Sequence, residues 1–150
     1  MELQEEIKGK FRNEFHKARI NIYFTNSFLM SKFDELMKKY QITTTQYNLL
    51  KILRSQHPNA VNLTYIKERM LDRNSDISRI LERLFKKNYI VRDENQTDRR
   101  QKKILISNDG LDLLAKMDNC EIELDNNLSN LSNDEVQQLN TILDKIRDEQ

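Results

Sequence analysis

Apolar residues recur at steps of three and four along most of this chain, and this periodicity restricts it to a mainly helical fold. Six stretches carry the pattern: 3–40, 44–56, 64–71, 75–87, 108–128 and 133–146. Two glycines and one proline in 150 residues are too few turn signals for an all-β fold. We therefore predict a mainly helical chain that folds as one compact subunit.

The first helical stretch is unusually long. Its apolar stripe includes Ile7, Phe11, Phe15 and Ile22 and continues to Tyr40. A helix of this length cannot bury its whole stripe within so small a domain, so we expect it to pack against a helix of a second chain. The alternative is a bent or broken helix that lies on its own core.

Capping signals mark several helix starts. The pairs of a hydroxyl residue with Gln or Glu three positions later predict capping boxes, and a single serine predicts a simple cap. These signals are Thr43 with Gln46, Ser132 with Glu135, and Ser107. The helix that follows Thr43 should end before His57 and Pro58, because the residue preceding a proline disfavours helix.

The middle third of the chain predicts a winged helix-turn-helix. Two short helices, about 64–71 and 75–87, are followed by β-prone runs at Tyr89–Val91 and Ile104–Ile106 with a polar loop between them. The second short helix has one apolar face. Its other face carries Ser75, Ser78, Arg79, Glu82, Arg83 and Lys86. The predicted class is therefore mainly α with a small β wing.

Positive charge is concentrated in the same region. Residues 61–106 hold 12 basic and seven acidic side chains, whereas the rest of the chain has an acidic excess and the net charge is only +1. Binding to DNA requires neutralisation of phosphates on one surface, not a high overall charge. The distribution favours nucleic acid as the partner, although a segment with this much charge also occurs by chance.

These segments resemble the MarR family of transcriptional regulators. The stretch Ser75–Leu84 resembles its recognition helix, Lys86–Arg92 the start of its wing, Asp98–Arg100 its acidic-Arg-Arg wing motif, and Ile104–Gly110 the end of the wing. Asn88 stands where the family usually has Gly, and asparagine is the next-best residue for a left-handed helix end. Ser107 replaces the usual Thr. The family's thiol sensors have a cysteine near the start of the first helix, which this chain lacks.

The resemblance implies a homodimer on a pseudo-palindromic double-stranded DNA operator. Residues of about 1–42 and 108–150 would form the dimerisation helices, and about 43–107 the DNA-binding lobe. Arg79 would read a guanine, because arginine can donate two hydrogen bonds to it. Arg100 would enter a narrow minor groove, with an arginine held by Asp98. The full predicted DNA-binding set is Asn74, Ser75, Ser78, Arg79, Arg83, Asp98, Arg99, Arg100 and Lys102.

The resemblance also implies repression released by a small, aromatic or phenolic effector that favours a lobe spacing unsuited to DNA. Five residues could line its crevice or belong simply to the core or dimer interface. They are Tyr23, Phe24, Phe28, Tyr47 and Met117. Cys120, the only cysteine, could sense oxidants or be an inert buried side chain.

Two other classes of function compete with this interpretation. An enzyme is disfavoured because the two histidines lie in no catalytic motif, and neither a metal-binding cluster nor a glycine-rich phosphate loop is present. We expect no cofactor. A winged-helix protein-interaction module without DNA specificity, such as an anti-repressor, remains the main alternative. The absence of an export signal or an apolar run of membrane-spanning length predicts a cytoplasmic protein.

Overall fold

The computed structural model describes residues 3–92 and 103–148, and the chain divides into two compact units, Met1–Asp118 and Asn119–Gln150. The first unit contains α1 (Leu3–Ile7), α2 (Glu14–Lys39), α3 (Thr44–Gln56), α4 (Leu63–Arg69), α5 (Ile77–Lys86), β1 (Ile90–Arg92), β2 (Ile104–Ile106) and α6 (Asn108–Lys116). The second contains α7 (Cys120–Asp125), a 3₁₀ turn (Asn126–Leu128) and α8 (Asn133–Arg147).

The predicted continuous helix from Leu3 to Tyr40 is wrong, because the helix is broken between Ile7 and Glu14. Packing of this stretch against a helix of a second chain stays a prediction. Lys8 has a left-handed φ of 47°, which ends α1. A new helix then starts after Asn13, whose side chain accepts a hydrogen bond from the backbone N–H of His16 at 2.8 Å. This cap lets α2 start independently of α1.

The predicted caps of α3 and α8 are confirmed. The backbone N–H of Gln46 donates to the hydroxyl of Thr43, and the backbone N–H of Thr43 donates to the Gln46 side chain, both at 3.1 Å. Ser132 and Glu135 form the same reciprocal pair at the start of α8. α3 ends immediately before His57, as predicted.

The predicted helix from residue 108 to residue 128 is interrupted. α6 starts after Ser107 as expected, but it ends at Lys116. A separate helix begins at Cys120 and ends at Asp125, and the 3₁₀ turn follows it directly. The same apolar spacing therefore spans two helices and a turn.

α3 is the central element of the first unit, and it packs against α2, α4, α5, α6 and β2. Leu49, Leu50 and Leu53 on α3 are buried. Each such leucine stabilises the fold by about 1.5–3 kcal/mol through removal of apolar surface from water. The surrounding elements contribute further buried side chains to this core: Met37, Ile66, Ile80, Leu81, Leu84, Ile90, Ile104, Ile106 and Leu114.

The end of α5 sets the direction in which the chain enters the wing. Asn88 adopts a left-handed φ of 60°. Its N–H donates to the carbonyl of Phe85 at 2.9 Å, and the N–H of Tyr89 donates to the carbonyl of Leu84 at 3.0 Å. These two bonds form a Schellman motif, in which asparagine substitutes for the more usual glycine.

The start of α6 packs directly against this turn. The Ser107 hydroxyl donates to the carbonyl of Asn88 at 2.6 Å and accepts from the N–H of Gly110 at 3.0 Å. A side chain at position 110 would meet the carbonyl oxygen of Tyr89, because an added Cβ would lie 2.3 Å from it. Gly110 is therefore needed for close contact between α6 and the base of the wing.

The wing base is a two-stranded antiparallel sheet. Ile90 pairs with Ile106, and Arg92 pairs with Ile104. Val61, ahead of α4, adds a bridge to Ile104 through hydrogen bonds of 2.9 and 2.7 Å. The base of the wing is thus tied to both the helix-turn-helix and the core.

Candidate nucleic-acid interface

α4 and α5 form a helix-turn-helix joined by residues 70–76. Asn62 caps α4 by accepting a hydrogen bond from the N–H of Tyr65 at 2.8 Å. The turn is attached to the core through Leu71, whose N–H donates to the Asn48 side chain on α3 at 3.0 Å. These contacts fix the start of α5 relative to the centre of the fold.

A carboxylate orders the residues that precede α5. Asp72 accepts a hydrogen bond from the N–H of Asn74 at 3.0 Å and another from the hydroxyl of Ser75 at 2.9 Å. Asp76 then caps the helix by accepting from the N–H of Arg79 at 3.1 Å. Asn74 and Ser75 consequently lie in the turn, and α5 starts at Ile77, two residues later than the helix predicted over 75–87, because Asp72 stabilises a turn there.

The outer face of α5 presents Ser78, Arg79 and Arg83, all exposed to solvent. The inner face buries Ile80, Leu81 and Leu84. This division holds the helix by its apolar face and leaves its polar face free to approach a groove.

One carboxylate interrupts the basic outer face. Glu82 forms an ion pair with Lys86, with 2.8 Å between the ammonium nitrogen and the carboxylate oxygen. The hydrogen bond and charge of Lys86, with smaller contributions from the charges of Arg83 and Arg79, lower the pKa of Glu82. Glu82 therefore remains ionised and offsets part of the positive charge on this face.

A cleft of about 740 Å³ runs along the groove between α4 and α5. Lys67 and Arg73 line it together with Ser75 and Ser78. The sequence interpretation placed neither Lys67 nor Arg73 in the site. The position of Arg73 directly beside Asn74 in the turn was the available signal.

The base of the wing is coupled to α5 by an aromatic contact. The guanidinium of Arg92 on β1 lies 4.8 Å from the ring centroid of Phe85 on α5, which is cation–π distance. The predicted wing residues Asp98, Arg99, Arg100 and Lys102 lie outside the described residues. Their roles stay predictions.

The five residues predicted to line an effector crevice fall into two groups. Tyr23, Phe24 and Phe28 on α2 are 60%, 40% and 50% exposed, whereas Tyr47 and Met117 are buried. Tyr47 packs edge-to-face on Phe33, with 5.8 Å between ring centroids.

A different crevice, of about 490 Å³, opens between α2, α3 and the turn before α5. Its lining residues are Asn26, Met30, Phe33, Thr44, Thr45, Asn48, Leu71 and Asp72. None of the five predicted residues lines it, so their role in ligand binding stays a prediction.

Two features of the described residues bear on other classes of function. Among residues 3–92 and 103–148, His, Cys, Asp and Glu side chains do not gather in groups of three that could hold a metal ion. No helix in this part of the chain is both long and apolar enough to cross a membrane.

A helix-turn-helix followed directly by a β-hairpin defines the winged helix-turn-helix class of proteins. Comparison with known proteins places this chain more narrowly. Residues 42–102 match the model of the MarR family. This match spans α3, α4, α5 and β1, and the matching family and the relatives named below are transcriptional regulators rather than enzymes.

Individual relatives agree with this match. The HTH-type transcriptional regulator MgrA of Staphylococcus aureus is 26% identical over 145 residues, which cover 95% of this chain and 91% of MgrA. A mutant of MarR from E. coli, solved in complex with operator DNA, shares the fold with a TM-score of 0.78 at 22% identity, covering 93% of this chain and 99% of that one. BpsR of Bordetella bronchiseptica has a TM-score of 0.79 at 17% identity, covering 95% and 100%.

Proposed function

We propose that this protein is a sequence-specific, double-stranded DNA-binding transcriptional regulator that acts as a homodimeric repressor. The observation that carries the proposal is the polar and basic outer face of α5, held on a buried apolar face at the end of a helix-turn-helix. Arg79 is the base-reading residue of this proposal. Ser78 and Arg83 flank it and contact the edges of the groove.

The composition of this face favours DNA over a protein partner. A winged helix that docks on a protein would be expected to expose large apolar side chains on α5. Here the apolar residues of α5 are buried or half-buried, and the exposed ones are hydroxyl-bearing or charged.

Apolar surface on the long helices supports a homodimer. In the first unit, α2 exposes Phe15, Tyr23 and Phe28. In the second unit, α8 exposes Ile142 and Ile146, which are 58% and 60% accessible. Surface of this kind is typical of an interface between subunits. A second copy of the chain would bring two α5 helices to successive major grooves of a pseudo-palindromic site.

Release by a small effector completes the proposal. The structure of BpsR is described as showing regulation of its DNA binding by 6-hydroxynicotinic acid, an aromatic acid. By analogy, an aromatic or phenolic compound would bind near Tyr23, Phe24, Phe28, Tyr47 and Met117 and stabilise a form that cannot span two grooves. Such a regulator acts in the cytoplasm, where its operator lies.

Fluorescence anisotropy with the purified protein tests this function. The labelled duplex is the DNA that flanks the protein's own gene, and an unrelated duplex of the same length is the comparison. We expect saturable binding that prefers the flanking duplex and weakens steeply with salt. Sedimentation of the complex checks that two chains bind one duplex.

Two arginine variants sharpen the experiment. Arg79→Ala should reduce the preference for the flanking duplex by about 1–3 kcal/mol for each half-site, the value of a bidentate contact with guanine. Arg12→Ala removes the same charge from an exposed position outside α5 and should leave the preference unchanged. Equal affinity of the wild-type protein for both duplexes would send the search to another operator. No binding of either duplex at low salt would refute the proposal and favour the protein-interaction module.

A further inference from the structure

The first unit has a second basic surface at the C-terminal end of α5. A cleft of about 490 Å³ lies there between the ends of α2 and α5 and the start of α3. Four cationic side chains line it: Lys38, Arg83, Lys86 and Lys87. None of the described residues that line this cleft is acidic. We call it the cationic cleft.

The cations of the cleft differ in how far they are already engaged. Lys86 is paired with Glu82, and the Lys87 ammonium group donates to the carbonyl of Gln41. Among residues 3–92 and 103–148, no carboxylate lies within ion-pair distance of Lys38 or Arg83. Two exposed cations therefore point to an anionic ligand that the chain itself does not supply.

The cleft continues the surface that carries the base-reading residue. Arg79, Arg83 and Lys87 follow one another at intervals of four residues, so their side chains form a row along one flank of α5. Lys38, from the last turn of α2, lies beyond the end of this row in the cleft. A basic track thus runs from the N-terminal half of α5 to the cationic cleft.

We propose that the cationic cleft binds a backbone phosphate of DNA that lies outside the bases read by α5. This inference rests on the proposed function, because it assumes that α5 enters a major groove. The groove is bounded by two phosphate strands. A basic flank on α5 that extends to Lys38 would contact one of these strands while the wing contacts the DNA elsewhere. Such a contact fixes the orientation of α5 and adds affinity without sequence preference.

The test is the salt dependence of DNA binding by Lys38 variants of the full-length protein. Lys38 is exposed and makes no structural ion pair in the described residues, so Lys38→Gln should fold normally. A dimer loses two phosphate contacts, one in each subunit, so the slope of log affinity against log salt should fall by about 1.8. Binding should weaken by about 30-fold at ~0.15 M salt if the contacts are negligible at ~1 M.

Matched variants separate this contact from general charge effects. The loss should be the same on the flanking duplex and on an unrelated duplex, because a phosphate carries no sequence information. Lys38→Arg should restore the slope. Lys116→Gln removes an equal charge from an exposed position outside the cleft and should keep the wild-type slope. A Lys38→Gln slope equal to the wild-type slope would overturn the proposal.

A titration with inorganic pyrophosphate, without DNA, distinguishes backbone phosphate from a free anion. Three results together would overturn the proposal: pyrophosphate binds the wild-type protein, Lys38→Gln abolishes this binding, and Lys38→Gln leaves the salt slope of DNA binding unaltered. The cleft would then bind a free anion and not the DNA backbone. The proposed function fails separately, when the wild-type protein binds neither duplex. If the wild-type protein prefers one duplex and Lys38→Gln has no effect, only this inference fails.

Discussion

Gly110→Ala should destabilise the protein, because the start of α6 lies against the base of the wing. The new Cβ would lie 2.3 Å from the carbonyl oxygen of Tyr89 and 2.8 Å from Cγ1 of Ile106. An ordinary contact begins near 3.4 Å, so α6 and the Tyr89 carbonyl must separate by about 1.1 Å. That carbonyl also accepts a hydrogen bond from the N–H of Ser107 at 3.0 Å, which opposes the movement.

The expected cost follows from two opposing effects. Overpacking a rigid site costs about 1–3 kcal/mol, and the obstacle here is backbone, so the upper part of this range applies. Alanine favours helix over glycine by up to about 1 kcal/mol, which offsets some of the loss. We expect a net destabilisation of about 2 kcal/mol, and a decrease in Tm of roughly 4–8 °C.

Urea unfolding followed by circular dichroism measures this effect at a fixed protein concentration, since a dimer's stability depends on concentration. The other glycine provides the control. A Cβ at Gly9 would meet the Ile7 side chain at 3.3 Å and the Ile7 carbonyl oxygen at an ordinary 3.7 Å, so Gly9→Ala should change stability by less than about 1 kcal/mol. Equal unfolding midpoints for Gly110→Ala and Gly9→Ala would refute the steric argument.

Two further predictions concern helix caps. Ser107→Ala removes the hydrogen bonds to Asn88 and Gly110 and should lower the free energy of unfolding in urea by about 1–2 kcal/mol. Ser107→Thr keeps the hydroxyl and should retain most of the wild-type stability. Equal losses of stability in both variants would contradict this prediction. At the start of α8, hydrogen bonds from the backbone and side chain of Ser132 lower the pKa of Glu135. Because the pKa of Glu135 is lowered in the folded state, its carboxylate stabilises the fold at pH values above the ordinary pKa of 4.5. This contribution to stability is lost as the pH falls through the lowered pKa. Glu135→Gln should therefore be less stable than wild type at pH ~7 and should approach wild type in acid, and a difference that is independent of pH would argue against the cap.

The order of the helical segments and the caps of α3, α6 and α8 could be predicted from sequence, because periodicity and caps are local. Thr43 and Ser132 each form their capping hydrogen bonds within four residues. The break after Ile7 could not be predicted in this way, since Phe11 and Phe15 continue the same spacing across it. Phe15 is in fact 88% exposed, so the pattern there does not report burial in the single chain.

The residues of the candidate interface also differ in whether a local sequence pattern could place them. Ser78, Arg79 and Arg83 could be placed together on one polar face from sequence, because they share one short helix with a clear apolar face. Lys38 could not be placed beside α5 from sequence, because it is 49 positions before Lys87 and only the packing of α2 near the end of α5 places both in one cleft. The turn at Asp72 was also missed, since its role depends on hydrogen bonds that a helical pattern does not reveal.

The central claim is that Arg79 reads a base in the major groove, and a substitution in the DNA tests it most directly. Replacing each guanine of the operator in turn by 7-deazaguanine removes the N7 acceptor from the groove. We predict one guanine in each half-site where the replacement weakens binding of the wild-type protein several-fold and has no effect on Arg79→Ala. If every replacement weakens the wild-type protein and Arg79→Ala equally, Arg79 does not read the DNA sequence and the account of this interface is wrong.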